Sequence, residues 1–519
     1  MNNCMTPRSK HMGSKHMAGN HTLRNTRLFS ARNALLALTI FSSGFTSSGY
    51  AAIGEIAGNE IPVNDRTLNE QSNAVVAMDA DGDFVVTWVS DGQDGNSLGV
   101  FGQRFSVDGV KAGDSFLVNT EQNLTQENPS IAIDADGDFV VVWQSFNQDG
   151  NNFGVYGQRF SSDANEKGTE FQINTEINSD QKNPDIAMDA DGDFVVVWQS
   201  DGNTTEDSSG FGVFGQLYSA DGSKIGDEFL VNTEINADQI NPSVAMDANG
   251  NFVVVWQSDG NAAEDSSGYG IFGQLFNASG NQTGNEFVVN SEKNLAQENP
   301  DVAMDASGDF IVVWQSDEQD NDDAGIFGQR YNASGFKIND EFQVNMEISF
   351  NQQYPSVAMD ADGDFVVSWQ SDGNAEDTSG YGVFGRIYSG STASDEFLVN
   401  TTIASEQTTP NVSMDADGDF IVAWQSDGNE EDTSGNGVFG QRYKGNAETI
   451  DLELVVTDGL DEGESVITGN NFTYTLITTN NGTGIAMGIE LAGAIPNGVS
   501  YVSDDSASAG WLCVPDAST

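Results

Sequence analysis

Tryptophan spacing constrains this chain more than any other feature. Trp88, Trp143, Trp198, Trp256, Trp314, Trp369 and Trp424 lie 55, 55, 58, 58, 55 and 55 residues apart, and Trp511 stands outside the series. Each of the seven ends an apolar run such as Phe139-Val140-Val141-Val142-Trp143, and a turn of the type Asp-Ala-Asp-Gly-Asp precedes each run. A period of this length marks supersecondary units stacked on one another.

One unit reads as four short strands. In the fourth unit they are Ser243–Met246, Phe252–Trp256, Gly270–Phe276 and Glu286–Asn290. β-Branched and aromatic residues between Gly, Asn and Asp punctuation favour strands over helices. Strand two is apolar on both faces, which suits a sheet packed between two others, as in a propeller blade. Six copies of strand four begin at Ser115, Glu170, Glu228, Glu286, Glu341 and Glu396. A seventh, Glu60-Ile61-Pro62-Val63-Asn64, precedes the first unit, and the last unit has strand three (Gly437–Tyr443) without a strand four after it. The early copy can complete the last blade, pairing an edge that would otherwise stay exposed. An open solenoid gives no reason for the offset, and single units of ~55 residues bury too little surface to stand alone. The expected fold is all-β: a seven-bladed β-propeller over residues 52–445, closed by an N-terminal strand.

The flanks differ from the repeats. Arg8, Lys10, Lys15, Arg24, Arg27 and Arg32 precede the apolar run Ala34–Phe41, no acid occurs before Glu55, and a small polar stretch follows to Ala52. That order is the pattern of a secretory signal peptide, residues 1–51, with cleavage after Ala51. The run is far shorter than the roughly 20 residues needed to cross a bilayer, and no later run of 18 apolar residues occurs. The mature chain is therefore expected to be secreted or at the cell surface, with no transmembrane segment.

Charge and composition then exclude several chemistries. The chain has 79 acids against 19 bases, a formal charge of −60, and its three His all lie within the first 21 residues. Without His the mature chain cannot build a Ser-His-Asp or Cys-His site, or a His-ligated zinc. Nucleic acid is excluded as an expected partner, because its binding rests on Lys and Arg neutralising phosphates.

After Tyr443 the repeat stops. Leu452, Leu454 and Val456 alternate, as do Phe472, Tyr474 and Leu476, so a half-buried sheet is expected. Asn471-Phe472-Thr473-Tyr474-Thr475-Leu476, Thr479-Asn480-Asn481-Gly482 and Ile495-Pro496-Asn497-Gly498-Val499-Ser500-Tyr501-Val502 resemble the conserved-repeat domain of bacterial surface proteins, domain of unknown function eleven. The resemblance covers about residues 450–519. It implies an immunoglobulin-like β-sandwich acting as stalk or spacer, here a truncated module over residues 446–519. Residues 55–445 also resemble tandem repeats of large exported bacterial proteins, which implies export and architecture and no particular chemistry.

The acidic turns are the first candidate site. The motif is complete at Asp79-Ala80-Asp81-Gly82-Asp83 and recurs with Asp134, Asp136 and Asp138; Asp189, Asp191 and Asp193; Asp360, Asp362 and Asp364; and Asp415, Asp417 and Asp419. Calcium takes six to eight oxygens, and alternating Asp around a Gly turn supplies some of them. The spacing is shorter than an EF-hand loop and lacks its closing Glu. A tight hairpin accounts for the same residues, with Gly at positive φ. Ser307, in the fifth unit, suits a turn better than an obligatory ligand.

The loops between strands two and three form a second acidic set: Asp201 to Asp207, Asp259 to Asp265, Asp317 to Asp323, Asp372 to Asp377 and Asp427 to Asp432. In a propeller they share one face with the Asn-rich loops that lead from strand four to the next strand one. The expected function is non-catalytic: binding, adhesion or a structural role at an extracellular protein or glycan surface, with calcium stiffening the loops. Two alternatives stand beside it, a carboxylate-dependent carbohydrate-active enzyme and a purely structural spacer of a longer surface protein. Acids repeated around a ring speak against two unlike catalytic carboxylates, and the recurring Arg104, Arg159, Arg330 and Arg442 speak for a structural role. No catalytic residue is expected. A non-repeated acid pair in the central channel would favour the enzyme.

Overall fold

A computed structural model describes residues 54–445, apart from residues 96, 202–209, 237, 260–267, 321, 373–376, 378–379, 391, 404–405 and 428–434. On either side it describes separate strand segments only, of which Leu452–Thr457 and Asn471–Asn480 pair antiparallel. The expected signal peptide and C-terminal module otherwise lie outside the described residues, as do most of the acidic loops between strands two and three. No helix among the described residues is long and apolar enough to cross a membrane.

Residues 54–445 form seven antiparallel sheets, each a blade of a β-propeller. In the third blade the strands are Gln181–Met188, Phe194–Asp201, Phe211–Tyr218 and Lys224–Leu230, paired in chain order. Strand two is buried along almost its whole length in every blade, and its side chains alternate between the two neighbouring blades. In the second blade Phe139, Val141 and Trp143 pack with Ala77, Val85 and Val100 of the first blade. Val140 and Val142 pack with Ile186, Phe194 and Trp198 of the third. Seven such clusters occur, one between each pair of neighbours, and the seventh joins Phe84 and Trp88 of the first blade to Ile421, Ala423 and Val438 of the last. An apolar run that alternates between two dry interfaces is thus the direct product of a sheet covered on both sides.

Strand four differs from its expected extent. In the third to fifth blades it starts earlier, as in Gln282–Val288, because two separate pairings with strand three are joined across a bulge. Its end is not a ladder at all. Val231 is fully buried and donates its N–H to Val213 O, and the next residue, Asn232, accepts the Val213 N–H on Oδ1 at 2.7 Å. Asn232 Nδ2 then donates to Gln239 Oε1 of the next blade at 3.2 Å. A side-chain amide therefore replaces the last rung of one sheet and ties it to the next. At the middle of strand three a glycine is required: a Cβ on Gly215 would lie 2.6 Å from Phe229 Cζ of strand four.

The seventh sheet has strands Gln407–Met414, Phe420–Asp427 and Asn436–Lys444, and its fourth place is held by the short segments Glu55–Ile56 and Ile61–Pro62. Val63 is fully buried in the cluster between blades seven and one. Asn64 Oδ1 accepts the Val438 N–H at 2.7 Å, and its Nδ2 donates to Gln71 Oε1 at 3.1 Å. Glu60 Oε2 accepts from Thr401 N and Oγ1, as Glu228 does from Thr175.

Asn64 and Asn232 make the same bonds, so they should matter equally. Asn64→Ala and Asn232→Ala are each expected to cost about 1–3 kcal/mol, because each strands buried partners. Urea unfolding of both variants checks this. An Asn64→Ala protein as stable as wild type would show that residues 60–64 do not hold the last blade.

Candidate functional site

The acidic turns lie at one end of the ring and act as hairpins. In the first, Asp79 Oδ1 accepts the N–H groups of Asp81 and Asp83, each at 3.0 Å, and Gly82 takes a φ of 84°. The same capping recurs at Asp134, Asp189, Asp360 and Asp415. The third Asp reaches the neighbouring hairpin of its own blade. Asp83, Asp138, Asp193, Asp364 and Asp419 accept the N–H groups of Val107, Ser162, Ala220, Gly390 and Gly445. Lys167 and Lys444 also pair with Asp138 and Asp419. The middle residues, Asp81, Asp136, Asp191, Asp362 and Asp417, are exposed.

Neighbouring turns meet through the first Asp. Asp79 Oδ2 lies 3.2 Å from the place of a Cβ on Gly137, and Asp415 Oδ2 lies 3.2 Å from that on Gly82, so these carboxylates follow one another from blade to blade. Burial, reinforced by the neighbouring carboxylates, raises the Asp415 carboxyl to about 7 and that of Asp360 to about 6. Among the described residues no group of three or more His, Cys, Asp or Glu gathers at metal-holding distance. The motif thus brings its carboxylates to backbone N–H groups first. The recurring arginines are likewise structural: Arg159 and Arg330 donate to the carbonyls of Ala220 and Gly390 in the next blade.

The opposite end opens into a central cavity of about 460 Å³, lined by the starts of all seven first strands. Its rim is a position that the repeat pattern did not single out. Asn73, Asn128, Asn183, Asn241, Asn299, Tyr354 and Thr409 occupy it, all with φ between 48° and 52°. Each opens a bulge in strand one, as between Lys182 and Asp185. Asn tolerates this left-handed conformation. The Asn side chains form a chain round the rim: Asn73 Nδ2 donates to Asn128 Oδ1, Asn128 to Asn183, Asn183 to Asn241, and Asn241 to Asn299, at 2.9–3.3 Å. The Gln that follows six of the seven tryptophans braces it, Trp88 being followed by Val89. Gln199 Oε1 accepts both Asn183 Nδ2 and the backbone N–H of Asn241.

One step deeper lies a layer of acceptors. Ser130 donates to Asp185 Oδ1 at 2.7 Å, and Asp185 Oδ2 accepts the Val244 N–H at 2.8 Å. Ser243 donates to Asp301 Oδ1 at 2.9 Å, and Asp301 Oδ2 accepts the Val357 N–H at 2.8 Å. Asn411 Oδ1 accepts the Val76 N–H at 2.8 Å. These side chains satisfy inner-strand N–H groups that have no fifth strand to pair with. Asp185 and Asp301 are the only carboxylates in the channel wall among the described residues. Burial raises both, Asp185 to about 6, and the Asp301 carboxylate adds to the Asp185 shift through like charge. The non-repeated acid pair is therefore present, with every carboxylate oxygen already bonded.

Around this mouth the loops from strand four to strand one expose apolar side chains: Leu68, Ile177, Ile235, Met346, Ile348, Phe350 and Ile403. Lining the seven repeats up on their tryptophans would have revealed both the Asn position and its two departures.

No protein-family model matches the chain, and no curated protein matches it. Solved structures resemble it. A protein of unknown function from Dyadobacter fermentans is 12% identical with a TM-score of 0.43, over 74% of this chain and 97% of its own. A Penicillium chrysogenum α-L-arabinanase complexed with arabinobiose is 11% identical with a TM-score of 0.42, over 62% of this chain and 93% of its own. A Fusarium graminearum α-L-arabinofuranosidase with arabinobiose is 12% identical with a TM-score of 0.39, over the same shares. Likenesses of this size assign no activity.

The raised turn carboxyls set a pH dependence. Asp415 binds its proton more tightly when folded, so between about pH 4 and 7 the native state holds more protons than the unfolded one. That contribution to stability grows as pH falls from 8 towards 5. Asp415→Asn keeps the acceptor for Asp417 N and Asp419 N but removes the titration. The variant should be more stable than wild type at pH 8 and gain less on moving to pH 5. Urea midpoints at the two pH values test this, and equal gains would place the dependence elsewhere.

Proposed function

We propose that the chain is a secreted or surface-exposed, non-catalytic binding propeller, its ring closed by the segment Glu55–Asn64, with the loop face around the channel mouth as its binding surface. One observation carries the reading. On a chain with a formal charge of −60, exposed apolar side chains recur on the loops of that face from blade to blade, around a mouth lined by uncharged amides. Exposed apolar groups gathered on one face of an acidic molecule support contact with a partner rather than solvation alone. The partner class is an extracellular protein or glycan surface. Calcium on the Asp turns, at the opposite end, belongs to the same proposal as a stiffening ion; the Oδ2 atoms of the first Asp in each turn are what the hairpin bonds leave for it.

A second reading is favoured by Asp185 and Asp301. Two unlike carboxyls, one raised to about 6, suit the acid and base of a carbohydrate-active enzyme. Against it, each carboxylate is held by hydroxyl and backbone donors of neighbouring blades.

The full mature chain on arrays of extracellular proteins and polysaccharides should bind at least one, and changing Ile177, Ile235, Ile348 and Ile403 together to Ser should weaken binding at least 10-fold. Val110→Ser with Phe336→Ser, on exposed hairpins of the opposite face, should leave it unchanged. The reverse pattern would place the surface at the wrong end. Release of reducing ends from a polysaccharide, lost in Asp185→Asn and Asp301→Asn, would replace this reading with the enzyme. Calcium titration with melting curves in calcium and in chelator decides the ion: a saturable heat that magnesium does not reproduce supports it, and a shift any salt reproduces removes it.

A further inference from the structure

The rim of asparagines is incomplete, and its gap has the makings of a ligand site. The amide chain runs from Asn73 to Asn299 and stops, because the next two places hold Tyr354 and Thr409. Three polar groups are left over among the described residues. Asn299 accepts from Asn241, but its Nδ2 donates to nothing. Asn73 donates to Asn128, but its Oδ1 receives nothing. Thr409 Oγ1 is buried without a hydrogen-bond partner. Between the free donor of Asn299 and the free acceptor of Asn73, the Tyr354 side chain stands 46% exposed.

The backbone argues in the same direction. A φ of 51° for Tyr354 and 48° for Thr409 is strained for an aromatic and a β-branched residue, whereas the other five blades use Asn there. Phe350, four residues earlier and half exposed, has a φ of 68°. Such strain clusters where a site needs a particular side chain. Nothing in the packing of the blade requires it, since Asn serves at the same place in five neighbours.

We infer that this gap is a subsite for a neutral sugar ring, resting on the reading of the loop face as a binding surface. The Tyr354 ring offers its electron-rich face to the C–H side of a pyranose or furanose. Asn299 Nδ2 donates to one ring hydroxyl, and Asn73 Oδ1 accepts from another. A few convergent polar groups beside an aromatic platform is the usual make-up of a small-ligand pocket. The sugar is uncharged, because Asp185 and Asp301 line the wall below and the molecule is strongly acidic, which repels uronic and sulfated sugars.

The test is calorimetry of the full mature chain with soluble neutral oligosaccharides, namely gluco-, xylo-, manno-, galacto- and arabino-oligomers. At least one should bind. Tyr354→Asn, which restores the repeat residue, should weaken it at least 10-fold while the melting temperature stays level or rises. Tyr354→Trp should keep affinity within about threefold, and Asn299→Asp, which keeps the acceptor and loses the donor, should weaken it about 10-fold. Unchanged affinity in Tyr354→Asn, with loss only in the Ile177, Ile235, Ile348 and Ile403 variant, would overturn the subsite and leave the binding face standing. Binding of array proteins but of no neutral oligosaccharide would overturn the subsite alone. A blank result for both would overturn the subsite and the binding surface together.

Discussion

A buried amide at each blade junction is the interaction on which the ring depends. Asn64, Asn119, Asn174, Asn232, Asn290, Asn345 and Asn400 each accept a strand-three N–H on Oδ1 and donate to the Gln that begins the next blade. All seven Asn are at most 7% exposed, so an unmade bond there would leave a desolvated donor. The joint does two things at once. It ends strand four where a further ladder rung would run into the next blade, and it fixes the entry of the following first strand. Apolar burial between blades supplies the larger driving force, but burial alone has no direction. The amide is what makes one blade follow another at a fixed angle.

Because seven blades must fit one ring, whatever serves the ring has to repeat. The tryptophans, the Asp turns, the Gln that follows six of the seven Trp and, in four blades, the arginines beside the next hairpin do so, and each has a structural task. Departures from the repeat are then the informative residues. Asp185 and Asp301 depart, yet their oxygens are used as Ser356 uses its own, to accept from the inner edge of the adjoining blade. Tyr354 and Thr409 depart and leave bonds unmade on their neighbours. The first departure is absorbed by the architecture, and the second is not.

This division also explains what could be read from the sequence. Strand two, the tryptophan period and the number of blades follow from hydrophobic alternation, which a covered sheet imposes on every residue of the strand. The chemistry of the Asp turns was legible only as two alternatives, since a hairpin and a cation loop ask for the same residues. The extent of strand four was misplaced because its last rung is made by an Asn side chain, and a side-chain rung leaves no period-two signal. The rim was overlooked for a related reason. Asn128 and Asn183 sit at left-handed φ before a proline, where the pattern reads only as loop.

The two ends of the channel solve opposite electrostatic problems. At the turn end seven Asp carboxylates succeed one another around the axis, and their mutual repulsion is met by two backbone donors apiece and, at Asp79, Asp134, Asp189, Asp360 and Asp415, by raised affinity for protons. At the loop end amides stand where charges could have stood, each satisfying the next. An amide chain is directional, with a donor at one end and an acceptor at the other, so a complete ring of it would offer a ligand nothing. Interrupting it at two adjacent blades exposes both ends of the chain on the two sides of one gap. The interruption costs a strained backbone at Tyr354 and Thr409. The same two departures that create the strain create the donor, the acceptor and the aromatic face together. A site of that kind needs no charge to hold a polyhydroxylated ligand, which is what an acidic molecule requires of it.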